Sequence, residues 1–392
     1  MLDVKDTYST VTAVLPSQSV RLVTEALQTD LNTGALVWGG RGTLLQDQWW
    51  KRWVPPISPA KTMLQLLSPG NQVEAIERKI IQTARLDKQS TGAVFSSPCS
   101  QAYFGTDFDN WGQSTTTGHE TVSSTADLTH NLSAIYCIVS HQDSDRVSKA
   151  AIRAGAHGPI VFYSEGRGLR DRLGWLRITK EHEKEVLLVI AEEDDADTIF
   201  DTMADAGQLH MPGRGFMYRV PISKGMFNLP SRVAHHHHEA SMQQIINAID
   251  HLAGHQHWRD QTVFDVPGQG RGQGLTEFSR VVPLNNQVCL SAIAHRENAS
   301  AVINMMLEAG APGLNFNYAR FNHEEADAMG GAHLSDEFAM LRCITFSETA
   351  DEICRLLDQA STDQKIADFC VYLNPAPRVA TYVPGKTDYR AA

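Results

Sequence analysis

One pattern of apolar runs recurs three times along this chain of 392 residues, and it limits the possible folds more than any other feature. The second copy follows the first by about 123 residues and the third follows the second by about 154, and such self-similarity indicates duplicated structural units. The sequence therefore predicts three small domains rather than one large one. The runs are residues 9–15, 61–67 and 92–96 in the first copy, 132–139, 185–191 and 215–220 in the second, and 288–294, 338–346 and 369–373 in the third.

Each copy alternates strand-like and helix-like stretches in the same order. In the second copy, Val147, Ala151 and Ala154 lie at helical spacing and Gly155 follows as a C-terminal glycine. The order is β-α-β-β-α-β, so we expect an α+β fold of three tandem ferredoxin-like units, whose four-stranded sheets cover one another about a pseudo-threefold axis. The predicted divisions are units at residues 1–105, 132–225 and 281–392, a linker at 106–131, and a His- and Gly-rich insert at 226–280 with one helix.

Charge and composition restrict the partners. The formal charge of −11 argues against a nucleic-acid partner, because phosphate contact depends on clustered Lys and Arg. No apolar run approaches the roughly 18–20 residues that span a bilayer, and the first residues lack the features of a secretory signal. No CxxC pair occurs and most of the six cysteines fall in predicted strands, so we expect a cytoplasmic protein.

Arginines flanked by glycines are the first candidate site residues. Glycines allow backbone N–H groups to turn inward and surround an anion, and guanidinium groups add charged donors. These residues are therefore predicted to bind a small anionic ligand, although tight turns with solvated arginines would give the same pattern. They are Gly40, Arg41, Gly42, Gly166, Arg167, Gly168, Arg170, Gly213, Arg214 and Gly215.

The second copy resembles the PII-type signal-transduction proteins. Its second strand runs into Glu165, Gly166, Arg167 and Gly168, as PII-type strands run into a glycine-flanked turn that opens the T-loop. Its residues 211–215 are similar to the glycine-rich B-loop before the last strand of that family. The first copy keeps Gly40, Arg41 and Gly42 at the corresponding turn, whereas the third keeps neither motif; Arg378 is the nearest counterpart of the family's C-terminal phosphate loop.

This resemblance implies a covalent PII-like pseudo-trimer. It further implies ATP, ADP or AMP in clefts between the units, and protein partners that contact the loops between second and third strands. A protein of this kind would bind a small molecule and regulate a partner.

Histidines in the insert form a second candidate site. Imidazole pairs four residues apart on a helix suit Zn, Ni, Cu or Fe, although a solvated polar run beside a surface helix is the alternative. The residues concerned are His235, His236, His237, His238, His251, His255 and His257. A weaker metal or acid–base candidate is the set His323, Glu324, Glu325, Asp327 and His333, and Trp49, Trp50 and Trp53 predict either packing onto a neighbouring unit or a partner contact.

Two functions stay open from the residues alone. The first is a PII-like regulatory protein that binds a nucleotide or small anion between its units. The alternative is a metal-dependent enzyme of hydrolase or lyase type, with one active cleft and a transition metal held by the histidines. No recognisable catalytic motif separates them.

Overall fold

The structure is a computed structural model. It describes residues 3–4, 8–42, 60–88, 91–104, 128–168, 183–229, 252, 284, 287–322, 337–363, 366 and 369–382. Most of the predicted linker and of the predicted insert lies outside these ranges. The described residues form a mixed α/β fold with a curled antiparallel sheet.

The predicted β-α-β-β-α-β order of elements is present in three stretches of the chain. The first stretch contains β1 (Asp3–Val4), β2 (Tyr8–Pro16), α1 (Val20–Leu31), β3 (Ala35–Gly42), β4 (Ala60–Pro69), α2 (Val73–Ala84), β5 (Gly92–Pro98) and β6 (Gln101–Phe104). The second contains β7 (Leu132–Ser140), α3 (His141–Arg153), β8 (Ile160–Gly168), β9 (Glu183–Glu192), α4 (Glu193–Gly207), β10 (Gly215–Ile222) and β11 (Lys224–Asn228). The third contains β12 (Gln287–His295), α5 (Ala299–Glu308), β13 (Gly313–Asn322), β14 (Glu337–Thr345), α6 (Ser347–Thr362), β15 (Phe369–Ala376) and β16 (Arg378–Thr381).

Four strands of each stretch pair in the same antiparallel order. The orders are β3-β4-β2-β5, β8-β9-β7-β10 and β13-β14-β12-β15. Both faces of these strands are covered, which explains why the sequence shows near-continuous apolar runs rather than strict alternation.

Two further sets of pairings join the stretches to one another, and each set closes on itself. In the first set the end of β3 pairs with the start of β8, the end of β8 with the start of β13, and the end of β13 with the start of β3. In the second set β6 pairs with β15, β11 with β5 and β16 with β10. Each short final strand therefore extends the sheet of a different stretch.

The buried apolar side chains form one shared core and three separate layers under the helices. The shared core combines side chains of all three stretches, such as Leu36, Ile160 and Met340. Each helix pair covers its own sheet through a separate cluster, as Val147 and Phe200 do in the second stretch. The inner sheet faces thus shield one another from water, and the outer faces are shielded by helices.

The boundaries differ from the prediction at the glycine-flanked arginines. The sequence predicted turns there, but β3 continues through Gly42 and β8 through Gly168. The expected turns at these residues are therefore wrong, because neighbouring stretches supply strand partners there. A Cβ atom at Gly40 would lie 3.3 Å from the carbonyl oxygen of Val161, so glycine here permits close approach of two strands rather than a turn.

Local signals explain where several helices end. Gly155 follows α3 with a φ of +99°, as predicted for a C-terminal glycine. Gly207 is the last residue of α4, and Gln208 after it adopts the left-handed conformation that closes the helix. None of the helices in the described ranges combines the length and apolar composition that a membrane crossing requires.

Candidate functional site

The candidate site lies at one of three junctions between the stretches. The first junction is where β3 meets β8, the second is where β8 meets β13, and the third is where β13 meets β3. Arg41, Glu165 and Arg320 occupy corresponding positions, since each pairs with a residue near the start of the next strand in the ring. The three junctions can therefore be compared residue by residue.

An ion pair closes the first junction. The Nη2 atom of Arg41 lies 3.1 Å from Oε2 of Glu185 on β9, and the Glu185 side chain is only 11% exposed. The same guanidinium lies 3.4 Å from the hydroxyl of Ser144 and 3.5 Å from Oδ1 of Asp145, both on α3. Because the charge of Arg41 is already matched by acids, this junction offers little attraction to an added anion.

The first junction also brings together two of the predicted glycine-flanked arginines. The Nη1 atom of Arg214 lies 3.5 Å from Oδ2 of Asp143. Asp143 is in the first turn of α3, the helix that Arg41 also contacts. Gly213 and Gly215 have φ values of +76° and +136°, so this segment does turn as predicted. His141 lies nearby, with its Nδ1 atom 2.9 Å from Oε1 of Glu185.

Backbone pairing closes the second junction. Residues 165–168 form a ladder with residues 313–316, which places Gly166, Arg167 and Gly168 in extended strand. Their N–H groups therefore belong to strand geometry and do not form the predicted inward-turned cradle. The amide of Asn315 adds a bond to the hydroxyl of Ser164 at 3.3 Å across the junction. Arg170 lies outside the described residues.

A cavity of about 300 Å³ opens at the third junction. Strands β13 and β3 pair from Asn322 and Ala35 as far as Arg320 and Val37, and the pairing stops there. The cavity lies beside this last pair and is also lined by residues of β4 and β14. The lining residues are Val37, Trp38, Gly39, Thr62, Tyr318, Ala319, Arg320 and Glu337.

Arg320 is the cationic group of this cavity. It is exposed, and no side chain in the described ranges pairs with its guanidinium. Thr62 lies on β4 at the position that Glu185 holds on β9, so the acid that pairs with Arg41 is replaced here. Glu337 pairs with Arg320 in strand register, but its carboxylate forms an ion pair with Arg296. The Thr62 hydroxyl instead bonds to that of Ser17 at 3.1 Å.

Arg296 holds in place the side chains next to Arg320 in the cavity lining. Its guanidinium carbon lies 4.5 Å from the centre of the Tyr318 ring, and it forms an ion pair with Glu337. Tyr318 is thus fixed as a partly exposed aromatic surface. An anionic group could bind Arg320 through paired N–H donors, while an apolar or ring portion of the same ligand packs on Tyr318.

Arg378 does not stand free as a phosphate-binding residue. Its Nη2 atom lies 2.8 Å from Oδ1 of Asp201, it also contacts Asp197, and it stacks 4.9 Å above the Phe200 ring. The residue therefore joins β16 to α4.

The predicted metal ligands cannot be placed. His235, His236, His237, His238, His251, His255 and His257 lie outside the described residues, as do the His323 to His333 set and Trp49, Trp50 and Trp53. Within the described ranges, no three His, Cys, Asp or Glu side chains come together as metal ligands would. The metal site and the enzyme alternative stay predictions.

The residues of the third junction were missed because no glycine flanks Arg320. The strand pairings show that Arg320 corresponds to Arg41, and Thr62 to Glu185. The offsets of the apolar runs, about 123 and 154 residues, align Arg320 with Thr43 instead, so the repeat alone did not bring the two arginines together.

Comparison with known proteins gives weak likenesses only. No family model matches the chain, and no curated protein matches it. Among solved structures, the chain is similar to Arabidopsis thaliana PII bound to citrate. The two are 22% identical over a match that covers 24% of this chain and 80% of that chain, with a TM-score of 0.20. Aspartate kinase from Synechocystis shows 10% identity over 95% of this chain and 52% of that chain (TM-score 0.19), so the chain spans about half of that protein's length. A chlorite dismutase mutant from Candidatus Nitrospira defluvii shows 9% identity over 63% of this chain and 92% of that chain (TM-score 0.14).

Proposed function

We propose that the three stretches are tandem ferredoxin-like units packed as an intrachain PII-like pseudo-trimer. The two closed sets of strand pairings support this arrangement, because each of the three junctions repeats the same register. The shared core supports it as well, since its side chains come from all three inner sheet faces.

On this scaffold we propose a small-ligand-binding, regulatory protein with a single ligand site per chain. The observation that carries this proposal is the contrast between Arg41 and Arg320. Arg41 is neutralised by Glu185, whereas Arg320 lines a cavity and has no acid partner in the described part of the chain. The second junction is closed by its strand ladder.

The ligand class that fits best is a small anion or a mononucleotide. A cavity of about 300 Å³ is at the lower end of the range for ligand pockets, which runs from about 300 to 1,000 Å³. Arg320 suits a carboxylate or phosphate, and Tyr318 suits a planar ring.

The regulatory part of the proposal rests on position. Gly39 and Arg320 lie near the ends of β3 and β13, where the chain leaves the sheet toward β4 and β14. Residues 43–59 and 323–336 make these connections and lie outside the described ranges. We propose that ligand occupancy is communicated to protein partners through them.

A thermal-shift screen tests the proposal. The probes are ATP, ADP, AMP and small dicarboxylates, and at least one should raise the melting temperature because it binds only the native state. Arg320→Ala should abolish that rise. The matched control is Arg355→Ala, which removes an exposed arginine of α6 and should leave the rise unchanged. No rise with any probe, or an equal rise in the Arg320 variant, would reject the site.

A further inference from the structure

A second cationic centre lies inside the shared core. Arg342 on β14 is only 6% exposed. Its Nη1 atom donates to Oδ1 of Asn317 at 3.0 Å, and its Nη2 atom donates to Oε1 of Gln65 at 3.2 Å. Both acceptors are neutral amides, and no carboxylate of the described residues contacts this guanidinium. The buried positive charge therefore lacks a countercharge within the part of the chain that the structure describes.

The surrounding tyrosines do not supply that countercharge. The guanidinium of Arg342 interacts electrostatically with Tyr136, Tyr218 and Tyr372. Burial raises the pKa of Tyr136 to about 12, and it raises the pKa of the other two as well. All three hydroxyls are neutral at physiological pH, and arginine keeps its proton under the same conditions.

Two buried donors beside Arg342 also lack acceptors. The Oδ1 atom of Asn317 accepts from Arg342, but the amide nitrogen of Asn317 makes no hydrogen bond. The indole Nε1 of Trp38 makes none either, and its ring centre lies 5.8 Å from the guanidinium carbon. The side chains of Asn317 and Trp38 are 4% and 7% exposed. Unsatisfied buried donors are rare in native proteins and call for an acceptor.

Packing alone gives no reason for this arrangement. In the second stretch the position of Arg342 is held by Leu188, which pairs with Tyr136 as Arg342 pairs with Ser291. The leucine fills that position with apolar atoms. A buried charge is costly when it is unpaired, and apolar replacements are often neutral or stabilising. The three stretches are also joined covalently, so a buried charge is not needed to select which of them associate.

We propose that the core binds a small monovalent anion, of the size of chloride, between Arg342, Asn317 and Trp38. The guanidinium would supply charge and N–H donors, and the amide and indole N–H groups would complete the coordination. Trp38 also lines the cavity of the third junction. The inference is independent of the ligand proposed for Arg320.

The test is the melting temperature of the full chain as chloride replaces gluconate at constant ionic strength. Gluconate is a bulky anion, so it serves as the non-binding reference. Above the dissociation constant, each tenfold rise in chloride should raise the melting temperature by about 1–3 °C. Arg342→Met should show no such dependence, because it removes the charge and keeps a long apolar side chain. Arg320→Ala and Arg355→Met should both retain the wild-type dependence.

Two further experiments keep the proposal testable if Arg342→Met does not fold: a milder variant and a direct measurement. Trp38→Phe keeps an aromatic ring and removes one donor, so it should shift the chloride dependence to about tenfold higher concentrations. Crystals of the wild-type chain grown with bromide should show an anomalous peak between Arg342 and Trp38. A melting temperature independent of chloride, an unchanged dependence in Arg342→Met or Trp38→Phe, or the absence of a bromide peak would overturn the proposal.

Discussion

Arg41 and Glu185 form an ion pair across the first junction, with Nη2 and Oε2 3.1 Å apart. The arginine belongs to the first stretch and the glutamate to the second, so the pair fixes the position of one stretch against the other. The glutamate is largely buried and also bonds to His141 at 2.9 Å. The same pair neutralises the glycine-flanked arginine of this junction, in contrast to Arg320 at the third.

Removing Arg41 should destabilise the fold. In Arg41→Ala, the largely buried carboxylate of Glu185 loses its main cationic partner, and we expect a loss of about 1–2 kcal/mol in the free energy of unfolding. Urea denaturation at neutral pH measures it. Arg21→Ala is the control, because its ion pair with Glu25 lies on the exposed face of α1 and should contribute less than about 0.5 kcal/mol. Equal losses in the two variants would contradict the role given to Glu185.

Glu77 should make stability depend on pH. Its side chain is buried on α2, and this burial raises its pKa from 4.5 to about 7, although Ser96 and Lys224 partly oppose the shift. A raised pKa of an acid means that the folded state holds the proton more tightly than the unfolded state. The stabilisation is therefore complete below pH 4.5 and is lost as pH rises through about 7.

The variant that tests this is Glu77→Gln, which stays neutral at every pH. Between about pH 5 and pH 8, the free energy of unfolding of wild type should fall by on the order of 3 kcal/mol relative to that of the variant. Denaturant titrations at a series of pH values measure the difference. In Glu352→Gln, on α6, the offset from wild type should be constant over that range, because a hydrogen bond from Arg355 holds the pKa of Glu352 below its usual value. A difference between wild type and Glu77→Gln that does not change with pH would show that the carboxyl of Glu77 is not buried as described.

Gly215 should not tolerate a side chain. It opens β10 with a φ of +136°, and a Cβ atom there would lie 1.9 Å from the carbonyl oxygen of Ile138. Gly215→Ala must therefore shift either β10 or β7, and we expect a loss of about 2 kcal/mol or more by thermal or urea unfolding. Gly39→Ala is the control, since nothing lies within 4 Å of its Cβ position, and its stability should change by less than about 0.5 kcal/mol. A small loss for Gly215→Ala would mean that the segment before β10 differs from the structure.

The sequence predicted the elements well where the signal is local. Helix α3 shows why: Val147 and Ala151 lie on one face, and Gly155 marks the end with a positive φ. Helical periodicity and a C-terminal glycine depend on residues close together in the chain. The prediction could therefore find them without knowing the neighbouring stretches.

Relations between distant residues could not be found in the same way. Gly166 and Arg167 match a turn motif locally, but their strand partners are Asn315 and Leu314, far along the chain. The motif was assigned to a turn because those partners were unknown. Arg342 had no motif at all, and its burial follows only from the packing of three sheet faces against one another.

The central claim is that one junction of three is a ligand site, and binding stoichiometry tests it most directly. Isothermal titration calorimetry should be done on the full chain, with the nucleotide or dicarboxylate that raises its melting temperature most. The account predicts one ligand per chain in wild type and Arg41→Ala, and none in Arg320→Ala. Three ligands per chain, or one ligand that still binds Arg320→Ala with unchanged affinity, would contradict it.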